Sequence, residues 1–140
     1  MTTDDETEAQ LGAVFDELVE LIGETKQASW TASSADRRRV FDDLKAFLAE
    51  QAGQVDDAEL RLGSRAPWIA SPTGHATKNI AGEADGDAER LVMLLVRDLR
   101  DVIDDIRRRA AVVEAEWRSL LSGVADNLEL HVNALEVSMG

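Results

Sequence analysis

Residues 87–137, DAERLVMLLVRDLRDVIDDIRRRAAVVEAEWRSLLSGVADNLELHVNALEV, decide the fold, because a helical pattern runs through them with scarcely a pause. Ala88, Leu91, Val92, Leu95, Leu99, Val102, Ile106 and Ala110 recur three and four residues apart, the spacing that puts side chains on one face of an α-helix. Val113, Trp117, Leu120, Leu121, Val124, Leu128, Val132 and Leu135 form a second seam. One unbroken helix of this length would extend ~75 Å, too far for a compact domain of 140 residues. A break is therefore expected, and two places compete for it. At Arg109-Ala110-Ala111 the stripe changes phase, and Ser122-Gly123 holds the stretch's single glycine. The first is preferred, since it leaves two helices close in length to those upstream.

Two further stripes precede this region. Leu11, Val14, Phe15, Leu18, Val19 and Ile22, continued by Thr25 and Ala28, predict a first helix that stops near Ser29-Trp30-Thr31. Residues 1–7 carry no stripe and are expected to fray. Val40, Phe41, Leu44, Phe47, Leu48, Ala52, Val55, Ala58 and Leu62 predict a second helix. Ser33 is its expected cap, with Asp36 in a capping-box-like position, and Gly63 its expected stop. Residues 64–86 are the long irregular stretch, with both prolines, Pro67 and Pro72, and a turn signal at Ser71-Pro72-Thr73-Gly74. Trp68 and Ile69 are too apolar for a free linker and are expected to pack on the bundle or at a subunit contact. The whole, residues 1–140, reads as one all-α domain. It is a four-helix bundle with a long crossover between helices 2 and 3, the layout of ferritin-like folds.

Composition narrows the function classes. Without cysteine the chain has no disulfide framework, thiol nucleophile or thiolate metal site. Its longest strongly apolar run, Leu91 to Val96, falls far short of the ~20 residues a membrane span needs. Residues 1–6 lack the basic and apolar regions of a secretory signal, from which a cytoplasmic location is expected. A net charge of −13 opposes attraction to nucleic acid or anionic lipid. Eight acids, from Asp4 to Glu24, crowd the first 29 residues against Lys26 alone, and read as a solvated helix face.

Local residues then become suggestive. Thr25-Lys26-Gln27-Ala28-Ser29-Trp30 resembles the end of the first helix in Dps-type miniferritins, where a similar run leads into a His-Trp pair. Phe41-Asp42-Asp43-Leu44 is similar to that family's second-helix Phe-Asp-Glu-Leu. Asp56-Asp57-Ala58-Glu59 followed by Leu62-Gly63 is similar to its Asp-x-x-Ala-Glu-Arg end with a Gly-rich exit, and residues 120–132 faintly resemble its last helix. The resemblance implies a hollow homo-oligomeric shell, with iron oxidised at a site shared across a two-fold interface. The ligand set does not carry over. Ser29 stands at the first-helix His. An ungapped count from Trp30 places Phe41 at the second His and Lys45 at a carboxylate, whereas alignment on Phe41-Asp42 places Arg38 at that His and Asp42 at the carboxylate. Asp56 and Glu59 match the remaining carboxylate pair one residue short of its spacing. The resemblance thus implies iron and the metal residues Asp42, Asp56 and Glu59, but no imidazole, which Ser and Phe cannot replace as a nitrogen donor.

The remaining candidates read as packing. His131 has Leu128, not a Glu, three residues before it, so the Glu-x-x-His pattern of bundle di-iron sites is missing, and a surface or interface role is expected. His75 is read as an exposed turn residue. Trp30, Trp68 and Trp117 are expected in the core or at interfaces. Arg37-Arg38-Arg39 and Arg107-Arg108-Arg109 are expected to pair with carboxylates. Two functions follow as expectations: a Dps-like, shell-forming, iron-sequestering protein with a degenerate or absent ferroxidase centre, or a non-enzymatic helical interaction module acting as a dimer.

Overall fold

The computed structural model describes residues 4–32, 34–62 and 79–139. They form five helices: α1 (Asp4–Thr31), α2 (Ala35–Arg61), the short α3 (Ile80–Glu83), α4 (Ala88–Ala110) and α5 (Ala115–Met139). The all-α class holds, and no strand occurs among the described residues. No described helix is long and apolar enough to cross a membrane.

Helices α2, α3 and α4 begin where orphan backbone N–H groups find a side-chain acceptor. Ser34, in extended conformation, caps α2 by accepting from Arg37 N at 3.2 Å. The cap is thus one residue later than the expected Ser33, which lies outside the described residues. Arg37 rather than Asp36 then holds the third helical position, so the capping box does not form. Asp87 caps α4 by accepting from Glu89 N at 3.0 Å and Arg90 N at 3.2 Å. Just before it, Asp85 and Gly86 adopt φ 52° and 78°, a left-handed pair that reverses the chain out of α3. Glycine takes that conformation without a Cβ penalty, and Asp is among the residues that tolerate it.

The break in the decisive stretch falls at residues 111–114, as the phase shift predicts. Gly123 sits inside α5 with open space where a Cβ would go. The turn uses neither Gly nor Pro. Arg118 reaches back from α5 to donate to Ala110 O at 3.3 Å and Val113 O at 3.1 Å, which satisfies one carbonyl at the end of α4 and one in the turn. Val113 buries its side chain beneath that turn. At the other end of the chain, α1 starts at Asp4, inside the stretch expected to fray, and Thr7 is already buried.

Side-chain contacts fix the directions. Ser29 meets Asp42, and Gly12 approaches Glu59, so α1 and α2 are antiparallel. Arg107 pairs with Glu129 at 2.7 Å and Arg100 with Glu136, so α4 and α5 are antiparallel too. Arg109 donates to Gln10 at 2.8 Å and Asp105 meets Glu17, which together set α4 antiparallel to α1. Phe47 meets His131, and Arg61 lies 5.4 Å from the Trp117 ring, which sets α5 antiparallel to α2. The bundle is therefore two helical hairpins in ring order α1, α2, α5, α4, each antiparallel to its neighbours, so that in chain order α1, α2, α4 and α5 run up, down, down, up. Ala81 N donates to Gln27 Oε1 at 3.0 Å, so α3 sits by the C-terminal end of α1, whereas α2 ends by the N-terminal end of α1. The connection between α2 and α3 thus joins opposite ends of the bundle.

The core is one apolar cluster fed by all five helices, with Leu18, Leu48, Ile80, Leu95 and Leu121 almost without solvent exposure. The predicted stripes supply most of it. Val19, Ile22, Val40, Phe47, Val102 and Leu120 pack only in part, and Leu21, Leu94 and Ile103 are buried in addition.

Candidate functional site

The metal residues implied by the resemblance do not converge. Asp42 is exposed and accepts a hydrogen bond from Ser29 Oγ at 2.7 Å. Asp56 lies fourteen residues further along the same helix, ~21 Å away at the helical rise. Asp56 and Glu59, both half-buried, instead gather with Asp16 and Glu8 of α1. Burial, and then the charges of Asp56, Asp16 and Glu8, push the Glu59 carboxyl up to about 7. Among the described residues, no three His, Asp or Glu side chains are placed to hold a metal ion together. Within one chain the residues therefore do not fit an iron centre.

Of the interface candidates, Trp68 and Ile69 lie outside the described residues, as does His75. Trp30 stands 72% exposed at the end of α1, with Lys26 Nζ 4.9 Å from the centre of its ring. It is thus no core residue. Trp117 is buried, with the Arg61 guanidinium over its ring. His131 is half-buried, set edge-on to Phe47, and desolvation lowers its pKa. It lines a groove of about 260 Å³ between α2 and α5, with Val40, Leu44 and Leu135 as apolar walls.

A second concentration of charge lies in a cleft of about 370 Å³ between α1 and α4. Glu17, Glu20 and Glu24 line it from α1, and Asp98, Asp101 and Asp105 from α4, with Arg108 at one end. The reading of the N-terminal acids as a solvated face fails here: Glu24 is 2% exposed and Glu17 half-buried. The two triplets share the spacing of three then four residues. Because the helices run antiparallel, Glu17 faces Asp105 and Glu24 faces Asp98.

Glu17 and Asp105 share a hydrogen bond across this seam. Asp105 also accepts from Arg109 Nε at 2.7 Å and from Arg108 Nη2 at 3.0 Å. Burial, followed by the Asp105 hydrogen bond and charge, pushes the Glu17 carboxyl up to about 8. The hydrogen bond from Glu17, then those from Arg109 and Arg108, hold Asp105 well below the usual carboxylate range. One carboxyl of the pair therefore keeps a proton while the other stays ionised. The Arg107–Arg109 cluster pairs with carboxylates as expected, Arg107 with Glu129 and Asp126 and its two neighbours with Asp105. The signal for the cleft was the repeated acid spacing in two helices, which points inward only once their antiparallel pairing is known.

No protein-family model, curated protein or solved structure matches this chain.

Proposed function

We propose that the chain is a subunit of a ferritin-like, Dps-resembling homo-oligomer that keeps the shell-building bundle without a His-based iron-oxidation centre. The observation that carries this reading is the connectivity. Two antiparallel hairpins run up, down, down, up, and the link between them joins opposite ends of the bundle, the layout of bundles with one long crossover. Ser29, in the place of the family's first-helix His, spends its hydroxyl on Asp42. A hydroxyl committed in this way offers iron no nitrogen donor, and the carboxylates of Asp56 and Glu59 lie at the far end of the hairpin. Iron handling on this reading is sequestration by carboxylates, with no accelerated oxidation.

The experiment is a measurement of assembly size by light scattering, followed by aerobic oxidation of ferrous iron. A large closed assembly that oxidises iron no faster than buffer is the expected result. Acceleration over buffer would restore a working centre and overturn the degenerate one. A second reading, a dimeric interaction module, draws on the exposed Trp30, since Trp is enriched at protein contacts. A monomer or dimer in solution would favour that module over the shell.

A further inference from the structure

The two hairpins touch along two seams, and the α1–α4 seam is the more extensive; α2 and α5 meet along a thinner line. Whatever acts on α1 and α4 thus acts on the joint between the hairpins. That joint is built from facing carboxyls over part of its length, and α1 brings no cation to it. Its single basic residue, Lys26, lies over Trp30.

Among the described residues, the charges that face Glu17 come from two helices. On its own helix, Glu20 and Glu24 line the same cleft. From α4 come Asp98, Asp101 and Asp105, answered by Arg108 and Arg109. Both arginines already bond Asp105, and Arg109 is further held by Gln10; its nearest approach to Glu17 is 4.0 Å. Oε2 of Glu17 is buried and receives no hydrogen bond. A carboxylate with a buried oxygen is costly when the cations nearest it among the described residues are already bound to Asp105, whereas a protonated one donates to Asp105 and removes a charge from the seam.

We propose that the α1–α4 seam is a proton-operated joint, in which one proton held between Glu17 and Asp105 keeps the two hairpins docked and its loss at alkaline pH loosens them. The cleft gives the newly charged group a solvent path, so that the response is a local opening rather than a collapse of the core. The sign follows from linkage. Burial lifts the folded-state pKa of Glu17 above its unfolded value of 4.5, so the folded chain binds the extra proton. Its stabilising contribution is complete below the unfolded value and is lost as the pH rises through about 8. Asp105 shifts the other way, and its contribution disappears only in acid, below its unfolded value of 3.8. Glu59 loses its own contribution as the pH rises through about 7, but on the α1–α2 face, away from this seam.

The test is amide hydrogen exchange in residues 98–106 of α4, corrected for intrinsic rates, between about pH 6 and about pH 9.5. In the full chain, protection should fall by about tenfold or more across that window, since each pH unit past the titration point changes the proton-bound fraction about tenfold. In Glu17→Gln, whose neutral amide still donates to Asp105, the same amides should hold their protection. Unchanged protection in the unaltered chain, or an equal fall in the variant, would overturn the proposal. If Glu17→Gln does not fold, the side-chain carboxyl carbon of Glu17 is titrated by NMR in the unaltered chain. A midpoint near 8 supports the joint, and one near the ordinary glutamate value overturns it. Neither readout depends on oligomer size, so failure here leaves the proposed shell untouched, and the reverse holds.

Discussion

At the level of single residues, the most consequential are polar groups inside an apolar bundle. Gln51 is almost wholly buried on the core side of α2, and its Oε1 accepts no hydrogen bond. A buried acceptor left unsatisfied costs about 1–3 kcal/mol, while an apolar replacement of like shape removes that cost. Gln51→Met is therefore expected to raise stability by about 1 kcal/mol, read as an increase in the urea midpoint at unchanged slope. A drop in the midpoint would show that the amide is satisfied after all. Thr25 shows the contrasting case. Its buried hydroxyl donates to Leu21 O at 2.7 Å, one turn back, so it sits in the first stripe without a comparable cost. Ser29 and Asp42 matter in a third way: their bond accounts for a carboxylate that a family resemblance would assign to metal and for the serine that stands at its missing His. The residue types at those positions were readable from the sequence. That they answer each other was not, since it depends on the register between α1 and α2.

The helices themselves were readable where apolar spacing is strong. All four long ones follow their stripes, and the α4–α5 break falls at the phase shift rather than at Gly123. What the stripe could not supply is the width of the buried face. α4 is flanked by α1, α3 and α5, so Leu94 and Ile103, off the narrow seam, are covered as well. The same flanking carries Glu24 out of solvent. Short-range capping decides where elements begin, and here Asp87 is the clearest instance. It accepts from two N–H groups and follows the left-handed Asp85-Gly86 pair that aims the chain into α4. Its carboxylate is further favoured by the helix dipole. Asp87→Ala is expected to cost about 1 kcal/mol, whereas Asp87→Asn, which keeps an acceptor, should cost distinctly less. Thermal unfolding of the two variants side by side checks this. Equal losses would mean that charge, not the acceptor, holds the start of α4.

For the molecule as a whole, the balance of charge sets the response to salt. The chain carries 28 acidic against 15 basic residues, a net charge of −13. Self-repulsion of that size opposes the compact state. The opposing attractions include the surface pairs of α4 with α5, such as Arg107 with Glu129 and Arg100 with Glu136. Pairs this exposed contribute ~0–1 kcal/mol each and are themselves screened by salt. Repulsion is spread over the whole bundle and concentrated where acids face acids, between α1 and α4 and around Glu59. It therefore outweighs these exposed pairs, and screening it helps more than weakening them hurts. Raising ionic strength from about 0.01 M to about 1 M shortens the Debye length from ~30 Å to ~3 Å, and the melting temperature is expected to rise over that range. The rise should be larger at pH 9 than at pH 6, because Glu17 and Glu59 add charge to those two regions between the two values. A melting temperature that falls with sodium chloride at pH 9 would show that the ion pairs, not the repulsion, govern this fold.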